Sequence, residues 1–104
     1  MKETFGEFIH ELRVQKGMTL TKLAAALDID QSTLSKIENN KRKVSIDIIP
    51  KLAACFNLKT VELEKELLSE EIALLTYGKD NTNEILRLAQ EKAIFYKKQQ
   101  KLKL

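Results

Sequence analysis

The segment from residue 19 to residue 39 constrains the fold more than any other part of the chain. It contains two short amphipathic helical patterns, with Thr19 and Asp30 at the positions expected of N-caps. Their inward residues are Leu23, Ala24, Leu27, Leu34 and Ile37. The turn that begins at Asp28 is too short for an antiparallel hairpin, so the sequence predicts two helices, over about 20–27 and 31–38, that cross steeply.

A helical pattern also precedes this segment, and another follows it. The first extends over about residues 4–16, ends at Gly17, and has its apolar residues at Phe5, Phe8, Ile9, Leu12 and Val14. The fourth helix is predicted over about residues 46–56, with Ser45 or Asp47 as its cap. Pro50 lacks an N–H, so we expect the start of this helix to be distorted.

The remaining residues complete an all-α pattern. A fifth helix is predicted from Thr60 to about Tyr77, with an apolar stripe at Val61, Leu67, Leu68, Ile72 and Leu75. After a break at residues 78–80, Asn81 and Glu84 have the spacing of a capping box that opens a sixth helix. Glycine and proline are scarce and strong helix formers are abundant, which favours helix over strand throughout.

Charge is sorted along the chain. Counting by segment gives −1 over residues 1–30, +3 over 31–51, −3 over 52–90 and +4 over 91–104. A basic segment beside a helix is what a nucleic-acid phosphate backbone attracts, although a solvated lysine-rich face has the same composition. Charge alone therefore leaves both interpretations open.

Several classes of protein are disfavoured. No apolar run approaches the roughly 18 residues that a membrane span needs, and charged residues occupy the N-terminus where a secretory signal would be apolar, so we expect a cytoplasmic protein. Cys55 is the only cysteine and His10 the only histidine, which provides neither an internal disulfide nor a zinc ligand set. We expect no metal and no cofactor.

An enzyme is also disfavoured. The sequence contains no Ser/His/Asp or Cys/His set and no phosphate-binding glycine loop. Acidic residues alternate with leucines on the fifth helix, which is more typical of a solvated face than of acid–base chemistry. These residues are Glu62, Glu64, Glu66, Glu70 and Glu71.

The ordered apolar set of the two crossing helices is followed by Glu38, Asn39, Asn40, Lys41 and Arg42. With these residues the chain resembles the lambda-repressor and Cro-like, or XRE-type, family of helix-turn-helix regulators over roughly residues 3–68. The resemblance implies a five-helix DNA-binding domain, residues 1–68, followed by a C-terminal helical extension, residues 69–104. It also implies a sequence-specific transcriptional regulator that binds double-stranded DNA, with repression as the default.

In that family the third helix lies in the major groove. The resemblance therefore assigns base reading to Gln31, Ser32 and Lys36, with Thr33 and Ser35 close by. The side-chain chemistry agrees, because glutamine can pair bidentately with adenine and lysine can donate to guanine O6 and N7. Without the family resemblance, the same residues would be interpreted as an ordinary solvent-exposed helix face.

Phosphate contacts are assigned in the same way to Asn39, Lys41, Arg42 and Lys43, which would orient the protein without reading sequence. The family frequently has glutamine at the start of the second helix, where this chain has Leu20. We expect the hydroxyl of Thr19 or Thr21 to replace that contact. Arg13 and Glu38 match positions that pair across the first and third helices in several phage repressors, and we interpret them as a structural ion pair.

The C-terminal extension has more apolar surface than two terminal helices could bury against so small a domain. We therefore predict a homodimer interface that consists of Ile72, Leu75, Ile85, Leu88, Ala89, Phe95 and Tyr96. Two-fold symmetry would place two recognition helices on half-sites about 34–36 Å apart. The alternative is an antitoxin or accessory subunit, whose C-terminal helices bind a different protein while the helix-turn-helix autoregulates its operon.

Overall fold

The computed structural model describes residues 3–102, and within them it is helical with no strand, which confirms the all-α prediction. Its helices are α1 (Phe5–Gln15), α2 (Leu20–Leu27), α3 (Gln31–Glu38), α4 (Ile49–Phe56), α5 (Thr60–Thr76) and α6 (Thr82–Leu102), with a 3-10 turn at Ile46–Ile48. The described chain divides into two compact units, one up to Glu71 and one from Ile72 onward. No helix among the described residues is long and apolar enough to cross a membrane.

Side-chain caps set the starts of the first three helices. Thr4 forms a complete capping box with Glu7 at the start of α1, and the hydroxyl of Thr19 accepts from the backbone N–H of Lys22 at the start of α2. A carboxylate oxygen of Asp30 accepts from the N–H of Thr33 at 2.6 Å at the start of α3. Each cap satisfies an N–H that has no partner inside the helix, so these starts are fixed locally.

The start of α4 differs from the predicted one. Residues 46–48 form a 3-10 turn, in which the Ser45 hydroxyl accepts from the N–H of Asp47, and α4 begins only at Ile49. Pro50 is then in the first turn of α4, where its missing N–H removes no helical hydrogen bond. Neither predicted cap serves α4 itself, since no side chain caps that helix.

The core of the first unit lies among α1 to α5. Among the residues that the structure describes, thirteen buried apolar residues contribute to it: Phe5, Ile9, Leu23, Ala24, Leu27, Leu34, Ile37, Ile48, Ile49, Leu52, Ala53, Leu63 and Leu67. Asp28 ends α2 in the left-handed conformation with φ 57°, which turns the chain toward α3 within three residues. The core thus holds α2 and α3 in a fixed relation.

Three predicted apolar positions outside the predicted dimer interface are wrong. Val14 is 51% exposed, Val61 is 61% exposed and Leu68 is 44% exposed, and Leu63 is buried instead in α5. Successive helical residues turn by roughly 100°, which places Val14 about 180° from Phe5 and Val61 about 160° from Leu63. Each valine therefore lies on the solvent side of its helix.

At Gly6 the backbone of α1 closely approaches the end of α3. A Cβ at this position would lie 2.1 Å from the carbonyl oxygen of Ile37 and 2.9 Å from Oδ1 of Asn40. The Thr4 hydroxyl donates to the same Asn40 oxygen at 2.7 Å, and Asn40 has a positive φ of 62°. Glycine is therefore required at position 6 so that α1 can pack against the end of α3.

Gly6→Ala should lower the free energy of unfolding by about 1–3 kcal/mol. This is the opposite of the usual effect within a helix, where alanine is favoured over glycine by about 0.5–1 kcal/mol. Gly78→Ala is the matched control, because a Cβ there meets nothing within 4 Å. Urea unfolding of both variants tests the contact, and equal midpoints would show that α1 is not so close to α3.

The second unit contains the last residues of α5, a turn, and α6. The Thr82 hydroxyl lies 2.9 Å from the carbonyl oxygen of Thr76 and 2.8 Å from that of Lys79, close to the end of one helix and the start of the next. Thr76 is itself buried, and its hydroxyl donates to the carbonyl of Ile72. Polar contacts thus order the turn between α5 and α6.

Candidate nucleic-acid interface

The third helix has one buried face and one exposed face. Leu34 and Ile37 are buried in the core, whereas Gln31, Ser32 and Lys36 are exposed. Thr33 and Ser35, which were predicted to be close to the base readers, are half-buried. The three residues assigned to base reading therefore project from a rigid helix into solvent.

The carboxylate of Asp30 lies at the N-terminus of this exposed face. The hydrogen bond from the Thr33 backbone N–H, helped by the hydroxyl of Thr33 and the nearby charges of Arg42 and Lys36, holds the pKa of Asp30 below its usual value. Asp30 is therefore ionised at neutral pH. Its negative charge interacts favourably with the positive, N-terminal end of the α3 dipole.

The basic loop follows α3 directly. The N–H of Lys41 donates to the carbonyl of Lys36 at 2.8 Å, and Nδ2 of Asn39 donates to the carbonyl of Ser35 at 2.8 Å. The side chains of Lys41, Arg42 and Lys43 are exposed. The predicted phosphate contacts thus begin next to the predicted base readers, on one continuous polar and basic segment.

The two threonines predicted to contact phosphate have different hydrogen bonds. Thr19 uses an oxygen lone pair to accept from Lys22, so its own hydroxyl hydrogen stays available. Thr21 donates its hydroxyl hydrogen to Oε1 of Gln31 at 2.7 Å. Thr21 therefore contacts a predicted base reader directly.

Arg13 and Glu38 lie together where α1 packs against the end of α3. Nε of Arg13 donates to Oε2 of Glu38 at 2.8 Å, and Nη2 donates to Oε1 at 3.0 Å, which is bidentate geometry. Nη1 donates to the carbonyl of Met18 at 3.0 Å. Glu38 is only 7% exposed, so this ion pair joins α1 to α3 within the packed part of the domain.

His10 is a third member of this cluster that the sequence analysis missed. Its Nδ1 lies 2.7 Å from Oε1 of Glu38. Burial raises the pKa of Glu38, but the hydrogen bonds from Arg13 and His10 and their charges outweigh it and hold that pKa below its usual value. Because His10 and Arg13 are three residues apart on α1, their spacing on one helix face was the available signal.

A second missed contact involves Glu70, which the sequence analysis assigned to a solvated face. Its Oε1 accepts from the backbone N–H of Phe5 at 2.9 Å. Phe5 is the first residue of α1, so its N–H has no partner inside the helix. Glu70 therefore caps α1 from α5.

The residues predicted to form the dimer interface are almost all accessible in the single chain. Ile85 is half-buried, and the other six, Ile72, Leu75, Leu88, Ala89, Phe95 and Tyr96, are exposed. The rings of Phe95 and Tyr96 meet edge to face, with centroids 5.7 Å apart. The exposed side chains of Leu88, Ala89, Phe95 and Tyr96 together form an apolar surface on α6.

Binding to DNA through the exposed face of α3 and the basic residues Lys41, Arg42 and Lys43 should depend steeply on salt. With about 4–8 phosphate contacts, the logarithm of the binding constant should fall against the logarithm of salt with a slope of about −4 to −7. Arg42→Ala should make that slope shallower by about 1 for each Arg42 side chain that contacts a phosphate, whereas Lys65→Ala, on α5, should not change it. Fluorescence anisotropy across a salt series measures both, and an affinity that does not change with salt would contradict the assigned surface.

Comparison with known proteins agrees with this geometry. A family model described as helix-turn-helix matches residues 9–63, more than half of the chain. No curated protein matches the chain. The solved structure of the restriction-modification controller protein C.AhdI from Aeromonas hydrophila is 36% identical with a TM-score of 0.51, over 57% of this chain and 89% of that one.

Two further solved structures are similar to the chain. The restriction-modification controller protein C.Esp1396I is 27% identical with a TM-score of 0.50, over 64% of this chain and 85% of that one. A SinR protein/SinI protein complex is 25% identical with a TM-score of 0.51, over 89% of this chain and 99% of that one. The chain therefore belongs to the lambda-repressor-like, XRE-type helix-turn-helix family and is a DNA-binding transcriptional regulator.

Proposed function

We propose that this protein is a sequence-specific repressor that binds a palindromic operator as a homodimer in the cytoplasm. The observation that carries the proposal is the exposed face of α3, where Gln31, Ser32 and Lys36 project next to the basic loop. A helix with such a face fits the major groove, where these side chains can donate to and accept from base edges. Binding over a promoter would exclude polymerase, which gives repression as the simplest outcome.

The residues of the basic loop and those of the exposed α3 face have different roles in this proposal, and the roles follow from their side-chain chemistry. The exposed cations Lys41, Arg42 and Lys43 contact phosphates and supply most of the affinity, because each contact releases counterions. Asn39 and Thr19 add hydrogen bonds that fix the register of the helix on the duplex. Specificity then depends on the small number of base contacts that Gln31, Ser32 and Lys36 make.

The homodimer is proposed to form through α6. Around this helix, Leu88 and Phe95 lie within about 20° of each other, and Ile85, Ala89 and Tyr96 fall on the same side. Lys97, Lys98 and Lys101 fall on the other side together with Leu86 and Ile94. Lys92 lies about 40° from Leu88 on the apolar side, so one cation interrupts that side of α6. A helix with an exposed apolar face is stabilised when that face packs against the same face of a second copy. Ile72 and Leu75, near the end of α5, would extend this interface.

A second candidate function is binding of a different protein through the same apolar face. The exposed α6 residues supply such a surface, and one similar structure is a complex of two differently named proteins. Two other similar structures are restriction-modification controllers, which favours the plain regulator. Purification from the native host separates the two, since an antitoxin or accessory subunit would carry a stoichiometric heterologous partner.

Selection of bound duplexes from a random DNA pool tests the proposed function. We expect an inverted repeat whose half-site centres are about 10 base pairs, or about 34–36 Å, apart. A transcription assay on a promoter that contains this sequence should then show less transcript as protein is added. Recovery of sequences with no shared pattern would contradict sequence-specific binding, and a single asymmetric half-site would contradict the symmetric homodimer.

A further inference from the structure

A single hydrogen bond joins the first turns of α2 and α3. Oγ1 of Thr21 donates to Oε1 of Gln31 at 2.7 Å, and both residues are exposed. The two helices cannot shift relative to each other without disturbing Leu23, Leu27 and Leu34, which are at most 1% exposed. The contact therefore connects the exposed side chain of Gln31 to Thr21 on the rigidly packed helix α2, ten residues earlier in the chain.

The hydroxyl of Thr21 has only one hydrogen to donate. Phosphate oxygens accept hydrogen bonds and do not donate them, so Thr21 cannot contact a phosphate as donor while it donates to Gln31. Thr19 differs, because it accepts from the Lys22 N–H at 3.1 Å and retains its hydroxyl hydrogen. Of the two threonines, Thr19 is the one equipped for a phosphate contact.

The amide of Gln31 has two chemically different ends. With Oε1 accepting from Thr21, one lone pair of that oxygen and both hydrogens of Nε2 remain for a base. Bidentate pairing with adenine uses one acceptor and one donor at fixed places, and an amide rotated by 180° would present a donor to the adenine amino group. A fixed amide orientation thus favours one base over others.

We propose that Thr21 is a positioning residue that fixes the orientation of the Gln31 amide before DNA binds, and so sharpens the base preference at the pair that Gln31 reads. This inference rests on the proposed function, in which Gln31 contacts a base. An exposed glutamine otherwise loses side-chain rotamer freedom on binding, and an orientation fixed in the free protein reduces that loss. Thr21 then affects specificity without contacting DNA.

The hydrogen bond itself is tested on the full chain without DNA. NMR relaxation of side-chain amides should show the Gln31 amide more ordered than those of the exposed Gln15 and Gln90. Thr21→Val, which keeps the shape and removes the hydroxyl, should make the Gln31 amide as mobile as the other two, whereas Thr21→Ser should preserve its order. A Gln31 amide equally mobile in the wild type and Thr21→Val would overturn the inference.

The effect on recognition is tested with the duplex recovered by selection, with duplexes that differ at single base pairs, and with random duplex. Thr21→Val should lower discrimination at the pair read by Gln31 by about 3- to 10-fold while binding to random duplex is unchanged. Thr21→Ser should retain the wild-type discrimination. In a Gln31→Ala background, Thr21→Val should have no further effect.

The other outcomes separate the inference from the proposed function. An equal loss on all duplexes would show that Thr21 contacts a phosphate, and no loss would show that the hydrogen bond does not affect recognition; either result overturns the inference alone. If Gln31→Ala changes no base preference, the assignment of Gln31 to base reading fails and the inference fails with it, whatever the relaxation data show for the free protein.

Discussion

Arg13→Ala should lower the free energy of unfolding by about 3–5 kcal/mol, the largest loss that we expect from a single change in this chain. Glu38 is 7% exposed, and Arg13 supplies two of its hydrogen bonds. Removal of the guanidinium leaves a buried carboxylate with His10 as its remaining side-chain partner. The carbonyl of Met18 loses a donor as well.

A double-mutant cycle of Arg13→Ala and Glu38→Ala, followed by urea unfolding, measures the pair directly. The double variant should recover part of the summed loss, because it no longer contains an uncompensated buried charge. Arg87→Ala is the matched control, since Arg87 pairs with Glu91 at 3.0 Å on the exposed surface of α6 and should change stability by about 0–1 kcal/mol. Strict additivity in the cycle would mean that Arg13 and Glu38 do not interact.

The combined variant Leu88→Glu and Phe95→Glu should convert the proposed homodimer to monomers. It places two carboxylates on the apolar side of α6, where dimer formation would bury four charges. Affinity for the palindromic duplex should then fall by about 10²- to 10⁴-fold, because the two recognition helices no longer bind as one molecule. Binding of a single half-site should be unchanged.

Sedimentation equilibrium gives the mass, and a parallel titration gives the affinity. Both side chains are exposed in the single chain, at 44% and 54%, so their replacement should not unfold α6. Gln90→Glu is the matched control, because it adds a carboxylate to the same helix roughly 160° from Leu88. A combined variant that remains dimeric and binds the palindrome normally would contradict the proposed interface.

The short-range signals in the sequence predicted α2 and α3 well. Both have the predicted bounds, because Thr19, Asp28 and Asp30 determine where the helices begin and end through contacts within three or four residues. The fourth helix was harder to predict. Two candidate caps and Pro50 compete near its start, and only packing of Ile48 and Ile49 into the core settles that residues 46–48 form a separate 3-10 turn.

Contacts between distant residues were much less accessible to sequence reasoning. The Arg13–Glu38 pair was expected because the family resemblance supplied it. The contacts of His10 with Glu38 and of Glu70 with Phe5 join residues 28 and 65 positions apart. The spacing of His10 and Arg13 on one face of α1 hinted at the first contact, and no local pattern indicates the second. The hydrogen bond between Thr21 and Gln31 depends on the crossing geometry of two helices, which a pattern of inward residues does not determine in enough detail.

The central claim, that α3 reads base sequence while the basic loop binds phosphate, is tested most directly by comparing Gln31→Ala, Lys36→Ala and Arg42→Ala on the selected duplex and on random duplex. We predict that the first two each lose about 1–3 kcal/mol of discrimination at particular base pairs with little change on random duplex. Arg42→Ala should weaken binding to both duplexes alike. Equal losses on selected and random duplex for Gln31→Ala and Lys36→Ala would contradict the account.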